Sequence, residues 1–169
     1  MKRIGLISDT HSYLDEQVFN YFASCDEVWH AGDFGNMELV QRLSTWAKAD
    51  KKILRGVYGN IDGQDIRAEF PEQLVFTCED VKVMIRHIGG YPPKYNPETK
   101  KELAIHHPQL FISGHSHILK VIFDEKLKCL HMNPGAAGKH GWQDMRTIMR
   151  FTVDRADMKD CEVIKLGKK

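Results

Sequence analysis

The segment KRIGLISDTHSYL, residues 2–14, joins the pattern of a buried strand directly to a carboxylate and an imidazole. Its apolar first half is typical of a strand that is covered on both faces. Asp9 and His11 follow at the point where this strand would end. A single Asp-x-His pair is more often a turn than a functional site. The pair therefore gains meaning only if other strands of the chain end in similar groups.

Two further strands of the first half also end in polar groups. The apolar segments 26–33 and 52–62 finish in Gly-Asp and in Gly-Asn-x-Asp. Between the strands, apolar residues recur at helical spacing and predict helices over about 14–24 and from Leu39 to Ala47. This β-α-β-α-β order predicts a parallel sheet with right-handed crossovers.

The second half of the chain is rich in hairpin patterns. We expect, in chain order, a hairpin over 73–87, a helix over 97–106 with Pro97 in its first turn, a strand over 109–117, a hairpin over 119–132, a loop over 133–142 and strands over 146–153 and 161–166. No repeat, low-complexity tract or linker interrupts this series. We therefore expect one α/β domain over residues 1–169.

Five of the predicted segments end in side chains that can ligate a metal ion. The carboxyl ends of parallel strands lie along one edge of a sheet, so these side chains should meet in one crevice. All are oxygen or nitrogen donors and none is a thiolate, which suits Mn²⁺, Fe²⁺, Zn²⁺, Ni²⁺ or Co²⁺ better than a soft metal. The candidates are Asp9, His11, Asp33, Asn60, His87, His115 and His117.

Composition excludes several other classes of protein. The formal net charge is +1, so no strong positive field favours binding to nucleic acid or to a membrane surface. The apolar runs are too short for a membrane span, and the N-terminus lacks the pattern of a signal peptide, so we expect a cytoplasmic protein. The four cysteines are widely scattered, which argues against a disulfide framework or a zinc knuckle.

Taken together, the motifs resemble the signature of calcineurin-like metallophosphoesterases. The matching elements are D-T-H at 9–11, G-D at 32–33, G-N-I-D at 59–62, His87 and G-H-S-H at 114–117. The length and the NPGAAG segment at 133–138 are similar to the small YfcE-type phosphodiesterase branch. The resemblance extends over residues 1–154 and implies a four-layer α/β/β/α sandwich.

The resemblance also implies a dinuclear metal centre, with Mn²⁺ as the expected metal and Ni²⁺, Co²⁺, Fe²⁺ or Zn²⁺ as alternatives. A hydroxide that bridges the two ions would attack a small phosphodiester, and Asp33, Asn60 and His87 would act through that hydroxide and by clamping the phosphate. By this resemblance, Asp9, His11, Asp33 and His117 hold the first ion, and Asp33, Asn60, His87 and His115 hold the second.

The sequence departs from the family pattern at two positions. Many relatives carry a histidine directly after Gly-Asn that donates a proton or clamps the transition state, but Ile61 stands here. Relatives also commonly have His-Gly-His where this chain has His87-Ile88-Gly89, so an imidazole that would support the metal site is missing. We expect Asp62 to bond to the backbone or to groups behind the ligands, and a role near the leaving group is the alternative.

The alternative reading is a non-catalytic scaffold or protein-interaction module with the same fold. A drifted site should have lost ligands, and all seven are retained here. A phosphoprotein phosphatase is disfavoured because Ile61 replaces the histidine. A nuclease is disfavoured because the charge is balanced. Similarity suggests a homodimer or a homotetramer.

Overall fold

The computed structural model describes residues 1–169 as two five-stranded sheets flanked by helices. The elements in chain order are β1 (Lys2–Ile7), α1 (Gln17–Tyr21), β2 (Glu27–His30), α2 (Met37–Ala49), β3 (Ile53–Gly56), α3 (Gln64–Glu69), β4 (Gln73–Cys78), β5 (Val81–Arg86), β6 (Gly90–Tyr91), β7 (Lys94–Tyr95), α4 (Pro97–His106), β8 (Leu110–Ile112), β9 (Lys120–Asp124), β10 (Cys129–Asn133), β11 (Met145–Asp154) and β12 (Asp157–Lys168).

The first sheet has the strand order β12-β11-β1-β2-β3. β1, β2 and β3 are parallel, as their alternation with helices predicts, and β11 and β12 add antiparallel strands at the other side of β1. The chain therefore returns from the second half of the sequence to complete the sheet begun by the first half. This return makes β1 a central strand and explains its burial on both faces.

The second sheet has the order β4-β5-β8-β10-β9. Its central strands β5, β8 and β10 are parallel, while β4 and β9 pair antiparallel at the edges. The predicted hairpins over 73–87 and 119–132 are confirmed by the pairs β4–β5 and β9–β10. Because β5 and β8 are parallel neighbours, the polar residues that follow them lie at the same end of the sheet.

Three apolar clusters define four layers. The inner faces of the two sheets meet through residues such as Trp29, Phe151 and Ile85. The outer face of the first sheet is covered by α1 and α2, whose Val18 and Leu43 belong to a second cluster. The outer face of the second sheet is covered by α4 through Leu103, Met84 and Phe111. The predicted α/β/β/α sandwich is confirmed.

Some element boundaries differ from the sequence-based prediction. The helix expected over 14–24 is only α1, because the chain first makes a tight turn after β1 and Asp15 then accepts a hydrogen bond from the backbone N–H of Gln17. α3 was not expected, since six residues with one buried side chain carry too little periodicity to be recognised. β11 and β12 are longer than predicted and form one continuous hairpin.

Two expected absences can be compared with the structure. No helix is both long enough and apolar enough to cross a lipid bilayer. All four cysteines are free thiols.

We predict that Gly5→Ala destabilises the fold by about 1–3 kcal/mol, the range for overpacking a core. A Cβ atom at this position would lie 2.7 Å from ring atoms of Phe22, which is fully buried and has no room to move. Urea denaturation measures the change in the free energy of unfolding.

Gly63→Ala is the matched control. A Cβ atom there would meet only Asp65 Oδ1, at 3.2 Å, on an exposed helix start. This substitution should change the stability by less than about 0.5 kcal/mol. Equal effects of the two substitutions would contradict the packing argument.

Candidate metal centre

The seven candidate side chains lie together where the two sheets adjoin. Asp9 and His11 follow β1, Asp33 follows β2 and Asn60 follows β3, all at the carboxyl ends of the parallel strands of the first sheet. The rest come from the second sheet, where His87 follows β5, and His115 and His117 follow β8. Hydrogen bonds join the two sheets here, for example from the backbone N–H of His115 to Asp9 Oδ2 at 3.1 Å.

These side chains form two groups that could each hold a metal ion. One consists of Asp9, His11 and His117, and the other of Asp33, His87 and His115; within each group the potential ligand atoms lie within 4.8 Å of one another. Asp33, a member of the second group, also contacts the first. Its Oδ2 is 3.4 Å from His11 Nε2 and 3.1 Å from His87 Nε2.

Asn60 belongs to the second group. Its Oδ1 lies 3.2 Å from His87 Nε2 and 2.9 Å from His115 Nδ1. An amide oxygen can ligate a divalent cation without adding negative charge. The structure thus brings all seven predicted residues together.

The backbone is strained at most of these positions. Five of the seven residues have a left-handed backbone, with φ of 53° at Asp9, 44° at His11, 57° at Asp33, 67° at His115 and 59° at His117. Asp and His tolerate this region better than most residues, but each instance still costs on the order of 1 kcal/mol. Such strain persists where the surroundings over-determine it, and its clustering here marks a functional site.

Gly32 allows the two sheets to approach each other beside Asp33. Its φ is +102°, and a Cβ atom would lie 2.6 Å from His87 Nδ1. The Gly-Asp pair after β2 is therefore needed for two reasons: glycine permits the turn and the close contact, and Asp33 supplies the carboxylate.

Asp9 is held ionised in a buried place. Burial alone would raise the pKa of this carboxyl group, but hydrogen bonding and charge from His11, His117 and His87, together with the Ser8 hydroxyl, lower the pKa below its usual value. His117 Nε2 lies 3.1 Å from Asp9 Oδ1, and this contact raises the pKa of His117. The pair is therefore a buried anion beside an imidazole that is easily charged.

Asp33 has the same character. Its burial raises the pKa, but His87 and the backbone N–H of Ile61 outweigh that effect and lower it. Burial lowers the pKa of His87, yet the carboxylates of Asp33 and Asp9 raise it overall. His115 differs, because its burial and the nearby His87 lower its pKa.

Two buried atoms of the centre, Asp9 Oδ1 and His11 Nε2, approach other candidate ligands at ion-pair distances but form no hydrogen bond of regular geometry. Native proteins rarely leave buried polar atoms unpaired, and each exception needs an explanation. Both atoms belong to the first group, where a divalent cation would use a carboxylate oxygen and an imidazole nitrogen as ligands. The residues present therefore fit divalent metal ions.

Comparison with known proteins supports the same conclusion. The family model for the calcineurin-like phosphoesterase superfamily domain matches residues 1–156. The chain belongs to this superfamily. It is 30% identical over 160 residues to a probable metallophosphoesterase of Methanocaldococcus jannaschii, covering 89% of this chain and 76% of that protein. It is 28% identical over 170 residues to one from Methanothermobacter thermautotrophicus, covering 97% and 92%.

Solved structures with the same fold include two informative proteins. A predicted phosphoesterase from Streptococcus pneumoniae has a TM-score of 0.72 at 22% identity, covering 97% of this chain and 89% of that chain. Vps29 from Entamoeba histolytica, solved with Zn²⁺, has a TM-score of 0.71 at 17% identity, covering 96% and 98%. The resemblance inferred from the motifs is confirmed for the metallophosphoesterase family and its fold.

Groups behind the metallophosphoesterase motifs fix the orientation of two histidines. His87 Nδ1 lies 2.7 Å from the carbonyl oxygen of Ala31, which can only accept, so Nδ1 carries the proton and Nε2 is free to bind a metal. His117 Nδ1 lies 2.9 Å from Gln143 Oε1. The Gln143 amide nitrogen donates to the carbonyl oxygens of Gly138 and His140, at 3.2 and 2.7 Å, which orients its oxygen towards His117.

Sequence reasoning missed Gln143. It lies in the loop after the NPGAAG segment, where no strand end or family motif marks it. Its contact with His117 exists only because that loop folds back over the ligands.

The expectation for Asp62 is consistent with the structure. Asp62 accepts hydrogen bonds from the backbone N–H groups of Phe34, Gly35 and Gly59, so it holds the turns that present Asp33 and Asn60. His30 is fully buried behind the site, where burial lowers its pKa to about 3 and keeps it neutral.

His140 lies at the mouth of the site. The His140 ring stacks on His11 with a centroid distance of 4.7 Å, so the loop over 138–143 covers the first group of ligands.

The two isoleucines that depart from the family pattern are both partly exposed at the centre. Ile61 has 45% of its surface exposed and Ile88 has 38%. The backbone N–H of Ile61 donates to Asp33 Oδ1 at 3.0 Å. The main chain at position 61 thus still supports Asp33, while the side chain offers no proton donor.

We predict that Gln143→Leu weakens Mn²⁺ binding by about 10–100-fold, the range for removing a group that orients a ligand. Leucine removes the acceptor that keeps the proton on His117 Nδ1. Gln143→Glu keeps an acceptor oxygen but loses the two donors to the loop, so it should retain most of the affinity. Isothermal titration calorimetry on chelator-stripped protein measures the affinity of each variant. Equal losses in both variants would instead assign Gln143 a role in holding the loop.

Proposed function

We propose that the protein is a metal-dependent phosphodiesterase with a dinuclear centre. Asp9, His11, Asp33 and His117 would hold one divalent ion, and Asp33, Asn60, His87 and His115 would hold the other. The ligand set favours Mn²⁺, with Ni²⁺, Co²⁺, Fe²⁺ and Zn²⁺ as alternatives. Its substrates would be small phosphodiesters.

One observation carries this proposal: the Asp33 carboxylate contacts both groups of ligands. Its Oδ2 lies within 3.4 Å of His11 Nε2 and within 3.1 Å of His87 Nε2. A carboxylate can bridge two cations, and no neutral side chain would do so at comparable strength. A site for a single metal ion would not need ligands on both sides of Asp33.

The candidate ligands differ in charge. Two carboxylates, Asp9 and Asp33, are the negative ligands, and the remaining five are neutral when they bind a metal. Bound divalent ions supply Lewis-acid chemistry: they lower the pKa of a water molecule and stabilise negative charge on the phosphate. Because two carboxylates offset only half the charge of two such ions, the centre stays positive enough to attract an anionic diester.

Ile61 limits the range of substrates. An alkyl side chain beside the centre cannot protonate a departing alkoxide, and loss of a general acid typically costs about 10²–10⁴-fold in rate. We therefore expect diesters with acidic alcohols or phenols to react much faster than dialkyl esters.

We predict that chelator-stripped protein hydrolyses bis-p-nitrophenyl phosphate only after Mn²⁺ is added. Release of p-nitrophenolate at 405 nm measures the rate. Asp33→Asn should reduce the turnover to the metal-free level, because an amide does not bridge two cations. Asp160→Asn is the matched control, since Asp160 is exposed and remote in the chain from every candidate ligand.

The same experiment separates the alternative function. Folded protein that turns over no diester with Mn²⁺, Ni²⁺ or Co²⁺ would contradict the proposal and favour a non-catalytic scaffold. Circular dichroism of each variant establishes that the fold is intact.

A further inference from the structure

A cleft of about 200 Å³ opens beside the second group of candidate ligands. It shares Asn60 and His87 with the centre, and Tyr58, Arg67, Arg86 and Ile88 are among the residues that complete its walls. A phosphate held at the centre would therefore project one of its ester groups into this space. The cleft joins two apolar side chains to two guanidinium groups and the carboxylate of Glu72, so it suits an alcohol group that is polar as well as carbon-rich.

The charge of one guanidinium in the cleft is already neutralised. Arg86 is only 7% exposed, and its Nη2 lies 3.0 Å from Glu72 and 2.9 Å from Glu98. Its Nη1 donates to Gln73 at 3.2 Å. Arg86 therefore supports the wall and has little capacity left for a ligand.

Arg67 is different because no carboxylate lies within salt-bridge distance of it. Its Nε donates to the carbonyl oxygen of Asp62 at 2.7 Å, and its Nη2 donates to that of Asn60 at 3.3 Å. These bonds leave Nη1 without a partner in the protein. The guanidinium also lies over the ring of Tyr58, with its Cζ 4.5 Å from the ring centroid.

These contacts hold Arg67 in place before any ligand arrives. A stacked guanidinium with two bonds to the backbone loses little further entropy when it pairs with an anion. A charge-assisted hydrogen bond to a phosphate oxygen is among the stronger polar contacts in proteins. The Arg67 guanidinium is thus a fixed cation without an ion-pair partner, and it can bind an anionic group in the cleft next to the centre.

We infer that the cleft binds an alcohol group of the diester that carries a second phosphate, and that Arg67 pairs with this phosphate. The inference rests on the proposed phosphodiesterase function and narrows it to a substrate class: phosphodiesters with a further phosphate on one ester group. Tyr58 and Ile88 contact the carbon skeleton between the two phosphates, and the second phosphate extends towards Arg67.

The test compares two substrates that differ only in the second phosphate. Thymidine 5′-(p-nitrophenyl phosphate) and its 3′-phosphorylated form release the same chromophore. The wild-type protein with Mn²⁺ should have a kcat/KM about tenfold or more higher for the 3′-phosphorylated substrate, as expected for one charge-assisted contact. In Arg67→Met this ratio should fall to near one, and in Arg67→Lys it should be intermediate.

The ratio is measured within one protein, so any general damage to the centre that follows loss of the bonds from Arg67 to Asn60 and Asp62 cancels. Arg155→Met is the control for total charge, because Arg155 is exposed in the turn between β11 and β12. Its ratio should equal that of the wild type. A wild-type ratio near one, or a high ratio that survives Arg67→Met, would overturn the inference.

Failure of the proposed function gives a different result. If the wild type hydrolyses neither substrate, the phosphodiesterase proposal fails. Calorimetry of the Mn²⁺-loaded protein then tests separately whether the cleft binds a second phosphate. Thymidine 3′,5′-bisphosphate should then bind about tenfold more tightly than thymidine 5′-phosphate, with the difference lost in Arg67→Met. Equal affinities would reject the role of Arg67.

Discussion

The structure depends on one constraint: two carboxylates are buried side by side where two sheets meet. Asp9 is fully buried and Asp33 is 2% exposed. The negative charge of Asp9 raises the pKa of Asp33, while imidazoles and hydrogen-bond donors lower the pKa of both carboxyl groups. Buried like charges are tolerated only when positive charge or strong hydrogen bonds surround them. The imidazoles and the backbone donors offset part of this charge, and under the proposed function two divalent cations would offset the rest.

The direction of the strands brings the groups that offset this buried charge to one place. Parallel strands in both sheets end at the same side, so short turns after them bring donors from distant parts of the chain to one place. The turns have left-handed backbone at five of the candidate ligand positions. Asp62 holds the neighbouring main chain in place, and the carbonyl oxygen of Ala31 orients His87. The backbone strain is therefore shared among several turns, and the surrounding hydrogen bonds fix each turn. The candidate ligand side chains consequently have little freedom to move towards one another.

Much of this arrangement could be predicted from the sequence. Each strand end is a local pattern, and the rule that parallel strands gather their carboxyl ends converts those patterns into a site; all seven candidate ligands were found in this way. Gln143 and Arg67 could not be found, because the first acts through a loop that folds back on His117 and the second lies on a six-residue helix with weak periodicity. Both side chains are placed by tertiary contacts that no short segment encodes.

The proposed function requires that the Asp33 carboxylate bridge two cations. Anomalous X-ray scattering from crystals of chelator-stripped protein soaked in Mn²⁺ tests it most directly. We expect two manganese peaks about 3.5–4 Å apart, the usual separation in two-metal sites, with the Asp33 carboxylate between them. A single peak, or two peaks of which neither adjoins Asp33, would contradict it.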